Sequence, residues 1–135
     1  MAGYSSTPLA KKLGYKPTLT VHLHHAPANY LRLLALGAGE EPAWCDEAMR
    51  GIKLVHAFTT SLAELKKLLV RYRKRIASDG AIWISWPKKA AKGATDITED
   101  RIRDVALPLG LIDIKVCAVD ETWSGLKLVI RKELR

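Results

Sequence analysis

Short apolar runs alternate with stretches of helical periodicity along this 135-residue chain. Leu19, Val21 and Leu23 alternate with Thr18, Thr20, His22 and His24, which predicts a strand over 18–24. Residues 52–58 form a second strand. Residues 81–86 are almost wholly apolar, as expected of a strand covered on both faces. A short strand is predicted over 42–46. Residues 111–119 and 126–132, joined by the polar stretch 120–125, read as an antiparallel hairpin.

Helical patterns fill the intervals. Residues 7–13 read as a short helix with Pro8 at its first position and Gly14 closing it. Pro27 opens another, running to about Leu36 and capped by Gly37. The best-patterned helix follows the second strand. Leu62, Leu65, Leu68, Leu69, Tyr72 and Ile76 share one face, and Ser61 with Glu64 has capping-box spacing. Ser78-Asp79-Gly80 is expected to end it. A last helix, with Ile102, Val105, Ala106 and Leu109 on one face, takes Asp96 and Glu99 as its start signal and Pro108 as its stop.

Strands alternating with helices predict one domain over 1–135, an α/β doubly wound, mostly parallel sheet finished by an antiparallel hairpin. The face of the first strand that carries Thr18, Thr20, His22 and His24 is too polar for a fully covered central strand. Only a short segment separates Gly37 from Gly51, too short for a strand and a long covering helix. One face is therefore expected to be wet or closed by a partner, which makes a homodimer a candidate assembly.

Composition narrows the class. Apolar residues make up 48% and charged residues 27%, so the chain has an ordinary globular composition. No run is long and apolar enough for a membrane span, and the N-terminal residues lack the apolar core of a secretory signal. Cys45 and Cys117 lie far apart with no metal-ligand spacing, so buried thiols in a cytoplasmic protein are expected.

The formal net charge of +8 is local. Residues 60–92 carry nine Lys and Arg against Glu64 and Asp79, a net of +7, and the rest of the chain carries +1. Six of these cations lie on the helix between Lys66 and Arg75, which raises nucleic-acid association as one function. Tyr72 falls on the apolar face, however, and no stacking platform accompanies the charge. Long basic side chains on an outer helix face ordinarily lie along the surface and solvate.

In doubly wound folds ligands bind outside the carboxyl ends of the strands. Those ends carry His24, His25 and Asn29, then Thr59, Thr60 and Ser61, then Lys88 and Lys89. Two of them lead into helix starts, where amides and dipole favour anions, and the lysines add charge. An anionic small molecule or nucleotide is the expected guest. Asp46 and Glu47 follow the short strand about 22 residues after His24, the spacing of a ribose-binding acid. His22 and His24 share a strand face, and such a pair can chelate zinc or copper. No neighbouring ligand is evident, His25 is expected to point the other way, and His56 depends on register. No metal is expected. The chain has no G-x-S-x-G, H-E-x-x-H or P-loop pattern, and Asp120, Glu121 and Trp123 read as hairpin-loop structure.

The segments 3–14, 86–89, 116–120 and 123–127 resemble a small bacterial family classified as a domain of unknown function, which implies no activity. The succession from the strand at 52–58 to the terminal hairpin is similar to the second half of class I S-adenosylmethionine-dependent methyltransferases. That resemblance implies a Rossmann-like core of truncated topology and S-adenosylmethionine as a candidate cofactor. It breaks at His24-His25-Ala26-Pro27-Ala28-Asn29, where a cofactor fingerprint would place glycines. The sequence thus points first to a non-catalytic or degenerate ligand-binding and interaction domain. A methyltransferase with an atypical first loop is the second reading, and a nucleic-acid-associated protein the third.

Overall fold

A computed structural model describes residues 7–89 and 95–135. Part of the N-terminal motif and most of the loop after Lys89, including Lys92, lie outside the described residues. Six strands, β1 (Thr20–His24), β2 (Ala43–Trp44), β3 (Ile52–Phe58), β4 (Ile76–Pro87), β5 (Leu111–Ala118) and β6 (Trp123–Ile130), form one sheet in the order β2-β1-β3-β4-β6-β5. The first four are mutually parallel, and β6 runs antiparallel to both β4 and β5. The doubly wound sheet with its closing hairpin is the predicted architecture.

Each face of the sheet has its own core. Helices α1 (Leu9–Leu13) and α2 (Tyr30–Leu34) cover one face, packing Leu13, Tyr30 and Leu34 against Val21, Leu54, Phe58 and Trp83. On the other face α3 (Leu62–Arg75) and α4 (Glu99–Ala106) pack Leu65, Leu68, Leu69, Tyr72 and Ile102 against Val55, Ala57, Ile82, Ile84 and Leu126. The apolar stripe of α3 is buried as its spacing predicts, and Pro108 sits in the 3-10 turn Leu107–Leu109 that ends α4.

Several boundaries differ from expectation. Pro8 is the residue before α1 rather than its first, and Gly14 closes the helix at φ 91. α2 stops at Leu34 with Ala35, not Gly37, in the left-handed conformation. The segment 78–80 does not terminate α3: the chain turns extended at Ile76, which pairs with Ile52, and 78–80 lies inside β4 at a register irregularity. α4 is capped by Thr98, whose side chain accepts from the Arg101 amide, so Asp96 is not its cap. The hairpin loop is shorter than predicted because Trp123, Ser124 and Gly125 already belong to β6.

The polar face of β1 is only partly buried, as its composition requires. The connection from β2 to β3 runs beside the end of α3, where Arg75 donates to the Glu47 carbonyl at 2.6 Å and the Gly51 amide donates to the Arg75 carbonyl at 2.7 Å. His22 lies against Tyr72, ring centroids 5.9 Å apart, and its Nδ1 donates to the Cys45 carbonyl at 3.1 Å. The short connection from β2 and the side of α3 thus cover this face without a further helix.

The strand order sets the direction of winding. From β1 the chain moves outward to β2, then returns past β1 to β3 and continues to β4. The direction reverses between β1 and β3, and a crevice opens outside the carboxyl ends of strands at such a reversal.

Candidate functional site

His24 and His25 from the end of β1 meet Thr59 and Glu64 from the end of β3 and the first turn of α3 in that crevice. His25 has φ 54, a left-handed backbone unusual for a side-chain-bearing residue. This carries its ring back over His24, so the two imidazoles stack with centroids 3.8 Å apart. The expectation that His25 would point away from His24 assumed that the strand alternation continues through it. The chain leaves the strand at His24, and the alternation ends there.

Glu64 reaches the same place because its capping role is only half used. Ser61 accepts the Glu64 amide at 3.2 Å, as a capping box requires. The Ser61 amide, however, donates to the Thr59 hydroxyl at 3.2 Å, which leaves the Glu64 carboxylate free to turn toward β1. Its Oε2 lies 3.7 Å from His24 Nε2. The neighbouring Thr59 hydroxyl, more than the nearby imidazoles, holds the Glu64 carboxyl below its usual range. Burial, with the charge of His25 adding to it, holds His24 below the usual histidine range. His24 Nε2 is buried and has no hydrogen-bond partner. An acid therefore does complete a cluster with two histidines. Its sequence signal was Glu64, which capping-box spacing had already assigned to another task.

The other predicted residues divide. Thr59 is buried and Ser61 half-buried, with their hydroxyls committed to the loop and helix start, so both position the crevice. Thr60 and Asn29 are exposed in the segments that follow β3 and β1, and Asn29 makes no side-chain cap to α2. Asp46 lines an open cleft of about 560 Å³ beside β1 and β2, together with Leu23, Ala26, Tyr30 and Trp44. Glu47 is turned instead toward α3, 3.6 Å from Arg71. Of the two candidate ribose acids, only Asp46 faces this cleft.

Lys88 and Lys89 line a different opening, of about 750 Å³, between the end of β4, the start of β6 and the first turn of α4. Glu99, Asp100 and Arg103 share that opening, and Arg103 is paired to both acids and to Asp113. Residues 95 and 96 bind the start of α3 and separate the two places. Thr95 donates to the Thr60 carbonyl at 2.9 Å, and Asp96 accepts the Leu62 amide at 2.7 Å.

Behind the crevice runs a buried polar chain that sequence reasoning missed. Tyr15 and Tyr30 hydroxyls lie 2.7 Å apart, Tyr30 is 2.8 Å from His56 Nδ1, and His56 Nε2 is 2.7 Å from Ser85 Oγ. Complete burial pushes His56 down to about 3. The signal was a single histidine and a single serine in two otherwise apolar strands, whose proximity required the β3–β4 register.

The described residues contain no helix long and apolar enough to cross a membrane. Residues 54–132 match the model of a family described as "Protein of unknown function (DUF3052)". No curated protein matches the chain. Among solved structures, a SAM dependent methyltransferase from Aquifex aeolicus is similar at 15% identity and TM-score 0.62, over 90% of this chain and 88% of that one. Magnesium protoporphyrin IX methyltransferase from Synechocystis PCC 6803, solved with bound SAH, is similar at 12% identity and TM-score 0.60, over 90% and 78%. The fibrillarin pre-rRNA processing protein of Methanococcus jannaschii follows at 9% identity and TM-score 0.56, over 95% and 70%. At these identities the likeness shows the fold, a methyltransferase-type Rossmann-like α/β sheet.

Proposed function

The chain belongs to the DUF3052 family of proteins of unknown function, and from that premise we propose that it is a ligand-binding domain for a nucleotide-class small molecule. The carrying observation is the cleft beside the strand reversal. Trp44 is 42% exposed there, with Tyr15 on one side (ring centroids 6.1 Å apart) and surface left for a base, and Asp46 follows the end of β2 where it would accept from a ribose hydroxyl. Exposed Asn29, Thr60 and His25, in the segments that follow β1 and β3, would supply the polar contacts for an anionic group. Lys88 and Lys89 are left out of this reading because they line a separate opening.

A second reading, an S-adenosylmethionine-dependent methyltransferase, is favoured by the fold of the solved neighbours. Against it stands the β1 loop. Imidazoles and a proline ring occupy the place where a glycine turn lets backbone approach a cofactor.

A thermal-shift panel of AMP, ATP, S-adenosylmethionine and S-adenosylhomocysteine separates the two. AMP or ATP is expected to stabilise the protein saturably, by about 2.7 kcal/mol at a hundred times Kd. Trp44→Ala and Asp46→Asn should remove the effect, and Lys88→Ala with Lys89→Ala should leave it. A shift with the two adenosyl-sulfur compounds alone favours the second reading, and no shift with any of the four overturns both.

The same proposal extends to partners. Edge strand β5 exposes Ile112, Ile114 and Val116 at 39%, 56% and 51%, which supports a homodimer through that edge. The unpaired thiols of Cys45 and Cys117 support a cytoplasmic setting. Nucleic-acid association finds less support, because Arg71, Arg73 and Arg75 on α3 are turned to protein partners.

A further inference from the structure

Three side chains of the reversal crevice offer more than polar contacts to an organic ligand. His24, His25 and Glu64 each present one ligand atom, and these atoms all lie within 4.8 Å of one another. A cation at their centre would be no farther than about 2.8 Å (4.8/√3) from each. Zinc bonds to imidazole nitrogen and carboxylate oxygen are roughly 2.0–2.2 Å long. In distance, closing the set takes less than an ångström per ligand, and the stacked imidazoles must also rotate so that their in-plane lone pairs meet at the ion.

We propose that His24, His25 and Glu64 form a binding site for one divalent transition-metal ion, with zinc the best match to two nitrogens and one oxygen. Three independent observations support it. The Nε2 atom of His24 is buried without a hydrogen-bond partner, although buried polar atoms ordinarily have one. The backbone of His25 is held in the left-handed region, and such strain persists where the surroundings impose it. Glu64 forgoes the second half of its capping box, and its carboxylate turns toward β1, with Oε2 3.7 Å from His24 Nε2.

The expectation of no metal considered His22 and His24 together. His22 is already spent on the Cys45 carbonyl, so the pair that can chelate is His24 with His25. With three protein ligands, a fourth position remains for water or an anion, the arrangement of zinc sites that act on or hold a ligand rather than only brace a fold. The inference does not depend on the nucleotide reading. Zinc can bind with no nucleotide present, and of its three ligands only His25 is also given a role in the nucleotide reading.

The test is zinc titration of the tag-free full chain, without nucleotide, by calorimetry and by competition with a chromophoric chelator. One equivalent is expected to bind, and cobalt in its place should give the visible absorption of a tetrahedral or five-coordinate centre. His25→Ala and Glu64→Gln should each weaken zinc binding at least roughly tenfold. His22→Asn should leave it unchanged. His25 is exposed, so its variant keeps the test valid even where Glu64→Gln perturbs the start of α3, and circular dichroism checks the fold of each. No stoichiometric zinc binding by the wild-type chain overturns the proposal. So does an affinity that survives loss of His25 but falls with loss of His22.

Discussion

The side chains of His56 and Ser85, two residues out of register on adjacent parallel strands, meet at 2.7 Å inside the sheet. His56 is fully buried and neutral, its proton affinity pushed down to about 3 by desolvation. An unfolded chain takes up a proton at His56 near the ordinary value of about 6.5, so between about 6.5 and 3 the unfolded state binds more protons. Stability therefore falls as the pH is lowered through that window, by up to about 1.4 kcal/mol per unit. Urea melts at pH 7.5 and 5.0 should differ by about 2 kcal/mol from this histidine. In His56→Leu that difference should shrink by the same amount, even though the variant is less stable at both values.

The tyrosines of the same chain should not be equivalent. Tyr30 joins Tyr15 to His56, with contacts of 2.7 and 2.8 Å. Tyr30→Phe leaves His56 Nδ1 buried without a partner, which costs about 1–3 kcal/mol. Tyr15→Phe removes only the outer contact and leaves the Tyr30–His56 bond in place. Its expected cost is about 1 kcal/mol. Equal losses for the two in chemical denaturation would mean that the chain is not ordered as described.

Gly80 reads in sequence as part of a turn, but the structure uses it for close approach. A Cβ there would stand 2.8 Å from the Ile52 carbonyl oxygen and 3.0 Å from that of Ala77. Both obstacles are backbone, and the glycine sits at the register irregularity between β3 and β4. Gly80→Ala should cost about 1–3 kcal/mol through forced backbone movement, with an unfolding midpoint lowered accordingly.

That glycine marks the limit of what the chain discloses before its pairing is known. Periodicity was enough for β3, the buried face of α3 and the stop at Pro108, because these depend on neighbours within a few residues. The start of β4 at Ile76 depends on Ile52, and the proximity of His56 to Ser85 depends on strand register. The crevice was legible as a place, from the rule about strand ends, and His24, His25 and Thr59 were legible as its members. Glu64 was not, because its local role hid its distant one. Lys88 and Lys89 were grouped with the histidines because strand ends were treated as one surface, whereas residues 95 and 96 divide it.

Asp96 shows the same division of local and distant roles in a testable form. It precedes α4 by three residues but caps α3, accepting the Leu62 amide at 2.7 Å. Thr98 caps α4. Asp96→Ala and Thr98→Ala should each cost about 1 kcal/mol, but at different helices. Hydrogen exchange should speed up at the first amides of α3 in the former and of α4 in the latter. Faster exchange confined to α4 in both variants would contradict the crossed cap.

The cations of α3 should separate into two groups. Arg73 donates to the Leu109 carbonyl at 2.9 Å, and Arg75 donates to the Glu47 carbonyl at 2.6 Å. Lys66, Lys67 and Lys74 are exposed on the same helix. Arg73→Ala and Arg75→Ala remove charged donors from partly buried carbonyls and should each cost about 1–2 kcal/mol. Lys66→Ala, Lys67→Ala and Lys74→Ala should stay within about 0.5 kcal/mol of the parent. Arg75 is the sharper case, since its partner lies on the short connection that crosses the polar face of β1. Its loss should loosen residues 45–51, seen as faster exchange of the Gly51 amide, which bonds the Arg75 carbonyl at 2.7 Å. If all five substitutions are neutral, the basic helix is free of structural duty, and a nucleic-acid role for its charge regains its standing.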